Sequence, residues 1–154
     1  MEYYQKALEI DIKVSGQDHP DVATSFNNIG AVYEGKGDFE NALVQHQKAL
    51  EIRTRVFGSD HPDVAISYNN IGAVYRKQGK YEEALEMYTK SLDIKTRIYG
   101  GDNHPDVAAS KYNLALLRRR RNETDIARQL FRECEQIYSD KGGPFLGLNL
   151  RDRN

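Results

Sequence analysis

The sequence contains little cysteine, no tryptophan and no long hydrophobic run. Its 154 residues include one cysteine, Cys134, which excludes an internal disulfide framework and a multi-cysteine zinc site and suits a reducing compartment. No apolar run approaches the roughly 20 residues that a membrane-spanning helix needs. The segment MEYYQKALEI is amphipathic and acidic, whereas a signal peptide is basic and then apolar. We therefore expect a cytoplasmic protein without membrane association.

The sequence also lacks an excess of charge of one sign, and it lacks catalytic motifs. The formal net charge is −1, so the overall charge predicts neither a nucleic-acid binder nor an acidic tail protein. The sequence has no glycine-rich phosphate loop, GxSxG elbow, HExxH motif or paired cysteines. Its carboxylate pairs, such as Glu82 with Glu83, fall where the first turn of a helix favours acidic residues. We expect no enzyme, no cofactor and no metal.

An internal repeat dominates the sequence. DHPDVA at 18–23 returns at 60–65, and NHPDVA follows at 103–108, so the histidines are 42 and 43 residues apart. Residues 18–58 and 60–100 align without a gap and are identical at 24 of 41 positions. The additional residue of the second interval falls at the adjacent glycines 100 and 101, where a change of loop length costs little.

Each repeat carries the signals of two helices, here called helix A and helix B. Pro20, Pro62 and Pro105 suit the first turn of helix A, and apolar residues then follow the i, i+3, i+4, i+7 spacing of one buried stripe. Gly37 and Gly79 permit the left-handed residue that ends helix A. Helix B follows directly, and no segment alternates as a strand does. Small residues are expected to let the two helices approach closely, namely Gly30 with Ala42 and Gly72 with Ala84.

The repeat resembles the tetratricopeptide pattern. The residues that carry this resemblance are Ile29, Gly30, Tyr33, Gly37, Phe39, Ala42, Ala49 and Leu50, with Ile71, Gly72, Tyr75, Gly79, Tyr81, Ala84 and Leu92 in the next repeat. The 42-residue period and the HPDVA opening resemble the long repeats of kinesin light chains. The resemblance implies an all-α, right-handed superhelical solenoid of antiparallel helix pairs. It also implies a protein-protein interaction module, with a cargo-adaptor or scaffold role as one expectation.

The repeat pattern divides the chain into five segments. These are a helix B of an incomplete repeat at 1–16, repeats at 18–58 and 60–100, a divergent terminal repeat at 103–139, and a C-terminal tail at 140–154. The third repeat resembles the polar last unit of an array, with Ala115, Arg118 and Asn122 at the positions of a glycine, a tyrosine and the closing glycine. The first segment has no such cap, so we expect a longer array or copies that stack end to end. FLGLNL at 145–150 either folds back over the last helix, stays mobile or acts as a ligand-like tail for a neighbour.

Asparagines recur on helix A, on a face other than the core stripe. They are Asn27, Asn28, Asn69, Asn70 and Asn113. In tetratricopeptide arrays the A helices line the concave surface, so the resemblance places these amides along a groove. An asparagine offers both a donor and an acceptor, which can pair with an extended peptide backbone whatever its side chains are. The alternative is that one amide of each pair contacts the next repeat and the other is solvated.

Cations follow on the same face towards the end of helix A. They are Arg76, Lys77, Arg119 and Arg120, whereas the first repeat has Glu34 and Gly35 there. These cations favour an acidic peptide, because arginine makes bidentate contacts with carboxylates. The alternative is that they are solvated at the C-terminal end of a helix, where positive charges interact favourably with the helix dipole. An RNA-binding role of the RRRR run at 118–121 is disfavoured by the lack of interleaved exposed aromatics.

Histidines and the cysteine are assigned to packing and capping. His19, His61 and His104 each precede a helix A roughly 10 Å from the next, too far apart to share a zinc ion. Capping or turn packing before the proline is therefore predicted for them. His46 aligns with Tyr88 and is expected to fill an aromatic position. Cys134 aligns with Ser91 and is expected to pack in the core.

We therefore predict a non-catalytic adaptor or scaffold that binds an extended, acidic peptide of another protein in the groove. The alternative is a structural array that self-associates end to end through its N-terminal helix. A contribution of the C-terminal tail to self-association is also left open.

Overall fold

The structure is a computed structural model that describes residues 2–140. Seven α-helices and no strand occur in this part of the chain: α1 Glu2–Ser15, α2 Pro20–Gly35, α3 Phe39–Phe57, α4 Pro62–Lys77, α5 Tyr81–Ile98, α6 Pro105–Arg120 and α7 Thr124–Asp140. The predicted all-α repeat fold is confirmed. Helices α2, α4 and α6 are the A helices, and α1, α3, α5 and α7 are the B helices. The expectations about the tail beyond residue 140 lie outside the described residues.

A histidine caps the N-terminus of every A helix. His19, His61 and His104 have extended backbones, and the Nδ1 atom of each accepts a hydrogen bond from a backbone N–H two residues later, at 3.2, 3.2 and 3.1 Å. This bond satisfies one of the orphan donors of the first turn, while the following proline lacks an N–H at the first helical position. The predicted capping role is confirmed.

A residue with a left-handed backbone closes every A helix. Gly37 and Gly79 have φ angles of 78° and 77°, as expected for glycines that terminate a helix. The third repeat has Asn122 at this position, with a φ of 62°. Asparagine is one of the few other residues that adopt this conformation readily. The turn geometry is therefore the same although the residue has changed.

The chain divides between Gly100 and Gly101 into two units. In the first unit, α2 packs on α3, α4 packs on α5, and the repeats are joined by α1 on α2 and by α3 on α4. Its buried core residues include Val22, Ala23, Ala49, Leu50, Ile52, Val64, Ala65, Ile71 and Ile94. In the second unit, α6 packs on α7 around Ala108, Cys134 and Ile137.

Rings of the B helices pack directly against glycines of the A helices. A Cβ atom added to Gly30 would lie 2.8 Å from the His46 ring, and one added to Gly72 would lie 2.8 Å from the Tyr88 ring. The sequence predicts that Gly30 with Ala42, and Gly72 with Ala84, let the two helices approach closely. Ala42 and Ala84 are fully buried, and the group that meets each glycine is the ring. His46 therefore occupies the same position as Tyr88, as predicted.

Cys134 is a core residue. It is fully buried, and its thiol donates a hydrogen bond to the Ala108 carbonyl at 3.2 Å. Ser91 makes the equivalent bond to the Ala65 carbonyl at 2.8 Å. Burial raises the pKa of the Cys134 thiol to about 11, which leaves little thiolate at neutral pH. The predicted packing role is confirmed.

Candidate functional site

Two of the predicted amides bond to each other across a repeat boundary. The Asn70 Nδ2 group on α4 donates a hydrogen bond to Asn27 Oδ1 on α2, at 2.8 Å. The same Asn27 oxygen lies 3.0 Å from Nδ1 of His46 on α3. Asn27 and Asn70 are both half-buried. The first two repeats are therefore linked through side-chain amides, and the orientation of both amides is fixed by these contacts.

The other predicted amides differ in exposure. Asn28 on α2 is exposed, and Asn69 on α4 is half-buried. Asn113 on α6 is half-buried and belongs to the second unit. Asn27 and Asn70 are two of these five amides that the structure brings together.

Lys77 is paired with a carboxylate of the preceding repeat. Its Nζ atom lies 2.8 Å from Glu34 Oε1, and the Glu34 side chain is only 17% exposed. Arg76 is half-buried and lies beside the hydroxyl of Tyr88. Arg119 and Arg120 are exposed on α6 in the second unit. In the first unit, Glu34 therefore balances the charge of Lys77.

The two links between α2 and α4 have the same spacing on both helices. Asn27 and Glu34 are seven residues apart on α2, and Asn70 and Lys77 are seven residues apart on α4. Seven residues correspond to about two helical turns, or roughly 10.5 Å. Ala31 and Ala73 lie on the intervening turn of each helix. We call the surface formed by Asn27, Ala31 and Glu34 with Asn70, Ala73 and Lys77 the α2–α4 face.

His46 lies beneath the α2–α4 face and is 2% exposed. Its Nε2 atom is 3.9 Å from Glu34 Oε2 and has no hydrogen-bond partner among the described residues. Burial lowers the pKa of His46, the Glu34 carboxylate opposes this shift, and Arg53 adds to it. The sequence predicts that His46 fills a ring position but not that it contacts two residues of this face.

The equivalent positions of the next repeat hold a different polar pair. Tyr88 aligns with His46, and Arg76 aligns with Glu34. Burial raises the pKa of the Tyr88 hydroxyl, and the neighbouring Arg76 opposes the shift. An imidazole lies beside a carboxylate in one repeat, and a phenol lies beside a guanidinium in the next. This paired change is the sequence signal that could have identified Glu34 and His46 as part of the site.

A separate concavity of about 450 Å³ lies between α3 and α4. Its lining consists of Leu43, Val44, Gln47, Lys48, Glu51, Ile71 and Tyr75. None of the residues predicted for the peptide groove belongs to this lining. The concavity is therefore distinct from the α2–α4 face.

Residues 2–140 contain no group of three or more histidine, cysteine, aspartate or glutamate side chains that is placed to hold a metal ion. In the same part of the chain, no helix combines the length and the apolar character needed to cross a bilayer.

The tetratricopeptide repeat family matches residues 2–54 and 21–97, so the chain belongs to this family and the predicted membership is confirmed. Proteins built from these repeats generally mediate protein-protein interactions and are generally non-catalytic. No curated protein matches the sequence.

Several solved structures share the fold. The crystal structure of BtubC (BKLC) from P. vanneervenii has 26% identity and a TM-score of 0.83, covering 93% of this chain and 57% of that one. A putative kinesin light chain of Podosopora anserina, with nearly identical TPR-like repeats, has 21% identity and a TM-score of 0.74. The match covers 91% of this chain and 66% of that one. The apo form of RapI has 20% identity and a TM-score of 0.75, and the match covers 92% of this chain and 49% of that one. The last two show the fold alone. This chain spans less than two thirds of the length of each.

Proposed function

We propose that this protein is a non-catalytic cytoplasmic adaptor or scaffold that binds an extended, acidic segment of another protein on its A helices. The observation that carries the proposal is the Glu34–Lys77 pair, at 2.8 Å. The Glu34 carboxylate contacts the Lys77 ammonium at the α2–α4 face, so this ammonium group is placed where it could also bind an acidic side chain of a partner. Arg76, on the same turn, adds a second cation.

The amide pair supports the same proposal. The bond between Asn70 and Asn27 uses one hydrogen of Asn70 and the oxygen of Asn27. The Asn27 amide hydrogens and the Asn70 oxygen remain for a peptide backbone, which needs one acceptor and one donor. Because both amides are already held in place, binding costs less side-chain entropy than it would for mobile asparagines.

The length of the face fits a short extended segment. The two links are separated by roughly 10.5 Å along the helices, and an extended peptide rises about 3.3 Å per residue. A segment of three to four residues would therefore span the distance from the amides to Lys77. We propose that Asn28 and Asn69 flank this segment, and that Asn113, Arg119 and Arg120 contribute to partner binding from the second unit.

A peptide-array screen tests the proposal. Wild-type protein should bind acidic peptides, and Asn70→Ala and Arg76→Glu should each lose a shared set of them. Lys36→Glu is the matched control, because it makes the same charge change at an exposed residue of the turn after α2. If neither test variant changes the set of bound peptides, or if Lys36→Glu removes the same set, the proposed groove is wrong.

The exposed side of α1 favours a second candidate, a structural role in which copies stack end to end. Ile10 is 61% exposed and Val14 is 77% exposed, whereas Ile52, which aligns with Ile10, is 7% exposed. Sedimentation velocity over a range of concentrations tests this candidate. A protein that stays monomeric throughout would remove it, and Ile10→Lys should abolish any association that is found.

A further inference from the structure

Glu34 occupies the position in which an acidic ligand would bind Lys77. Its Oε1 atom contacts Lys77 Nζ at 2.8 Å, so a carboxylate from a partner competes with it for this cation. The Glu34 side chain is 17% exposed, and moving it away from its cation leaves a poorly solvated charge. Binding of the partner carboxylate to Lys77 is therefore favoured if a second cation beside Glu34 can pair with it.

His46 is the group that can become this cation. The Asn27 oxygen is an acceptor, so the His46 Nδ1 atom beside it carries the hydrogen of the neutral ring. Nε2 then presents a bare lone pair to Glu34 Oε2, at 3.9 Å, and has no hydrogen-bond partner within residues 2–140. A proton on Nε2 would turn this unfavourable approach into a charge-assisted hydrogen bond.

The surrounding charges keep His46 neutral while Lys77 holds Glu34. On its own helix, Arg53 disfavours a positive imidazole, and burial acts in the same direction. On α2, Glu34 favours the positive form, but Lys77 of α4 offsets part of that charge. Arg76 of α4 and Tyr88 of α5 lie close to Lys77 and Glu34 and complete the cluster. Removing Lys77 from Glu34 therefore shifts the balance towards protonation of His46.

We propose that binding of an acidic side chain to Lys77 is coupled to uptake of one proton by His46. In this scheme the ligand carboxylate replaces Glu34 on Lys77, Glu34 turns towards His46, and a proton from solvent binds to Nε2. The proposal rests on the proposed function and adds its regulation. By linkage, a ligand whose binding takes up a proton binds more tightly as the pH falls, by at most about tenfold per pH unit.

The first experiment needs no ligand. An NMR titration of the four histidine ring signals follows His46 in the wild type, in Lys77→Ala, in Glu34→Gln and in the double variant. Lys77→Ala mimics displacement of Glu34 from Lys77 and should raise the pH midpoint of the His46 titration. Glu34→Gln should lower this midpoint. In the double variant, the loss of Lys77 should have little further effect, because Glu34 is already glutamine. Lys36→Ala should leave the midpoint of the His46 titration unchanged. An unchanged midpoint in Lys77→Ala, or an equal shift with and without Glu34, would overturn the coupling.

The second experiment adds a probe, a fluorescein-labelled hexaglutamate peptide, with binding measured by anisotropy at pH 7.5 and 5.5 at constant ionic strength. His46→Tyr, which introduces the residue type of the equivalent Tyr88, removes the titrating group. The ratio of wild-type to His46→Tyr affinity should rise several-fold at pH 5.5. If both proteins bind with the same pH dependence, the coupling is wrong and the proposed function stands. If the wild type binds at neither pH, the proposed function itself fails, whatever the titration shows.

Discussion

Lys111 and Glu133 form an ion pair at the positions where the first two repeats place an aromatic ring beside a lysine. The Lys111 ammonium lies 2.8 Å from the Glu133 carboxylate. The equivalent pairs are Phe26 with Lys48 and Tyr68 with Lys90, in which the lysine Nζ atom lies 5.2 and 5.7 Å from the ring centre. The residue on helix A has changed from an aromatic ring to a cation, and the residue on helix B has changed from a cation to an anion.

This exchange predicts that Glu133→Lys destabilises the second unit. Lys111 is 7% exposed, and the substitution would place a second ammonium beside it. We expect a loss of about 2 kcal/mol in the free energy of unfolding, measured by urea denaturation. The double variant Lys111→Phe with Glu133→Lys restores the arrangement of the first repeat and should recover most of this loss. A single variant as stable as the wild type would contradict the interpretation.

Gly30 and Gly35 should respond oppositely to alanine. A Cβ atom at Gly30 would lie 2.8 Å from the His46 ring, whereas a Cβ at Gly35 would have no atom within 4 Å apart from those of its chain neighbours and its own helix backbone. We expect Gly30→Ala to lower the free energy of unfolding by about 1–3 kcal/mol, because the ring must move. Gly35→Ala lies in the last turn of α2 and should be neutral or raise it by up to about 1 kcal/mol. Urea unfolding of both variants checks this, and equal effects would rule out the close packing as the cause.

His46 should make the stability of the fold depend on pH. Its pKa in the folded protein is lowered, mainly by burial, below the value of about 6.5 in the unfolded chain. The unfolded state therefore binds more protons as the pH falls through 6.5, so the stability contributed by neutral His46 is present above that pH and is lost below it. The slope is at most about 1.4 kcal/mol per pH unit. Urea unfolding at pH 7.5 and 5.5 should show a larger decrease for the wild type than for His46→Tyr, and identical decreases would contradict this.

Cys134 should be unreactive in the native protein. Its thiol is buried and has a pKa of about 11. A thiol reagent such as dithionitrobenzoate should react at pH 8 only as fast as the protein unfolds, and rapidly in denaturant. Cys134→Ser should keep the bond to the Ala108 carbonyl, as Ser91 does with Ala65, and cost little stability. Rapid labelling of folded protein would show that the thiol is accessible.

The sequence predicts the elements well because their signals are local. Proline at the first helical position, histidine before it and glycine at the end of helix A each act within one turn of the backbone. Even the divergent third repeat keeps these rules, with Asn122 in place of glycine. Such features depend on neighbouring residues in the chain, so a single sequence suffices to predict them.

The sequence does not predict which side chains meet between repeats. It predicts Asn27 and Asn70 as groove ligands, with a contact of one amide of each pair to the next repeat as the alternative, and Lys77 as a cation for an acidic partner. The bond between Asn27 and Asn70 is a contact of the kind that this alternative describes. Their contacts depend on how α2 and α4 lie beside each other, which no local pattern specifies. The amide-to-amide bond and the Glu34–Lys77 pair are therefore visible only in the structure.

The equal spacing of the two links on α2 and α4 fixes the longitudinal register of the first two repeats. A slip of one helix by a single residue, about 1.5 Å, would move the amides and the ion pair out of alignment together. Small tilts that open one end of the α2–α4 face can break one link and keep the other. Sliding of the two helices past each other is therefore opposed by both links, whereas a tilt that opens one end of the face is opposed by one of them.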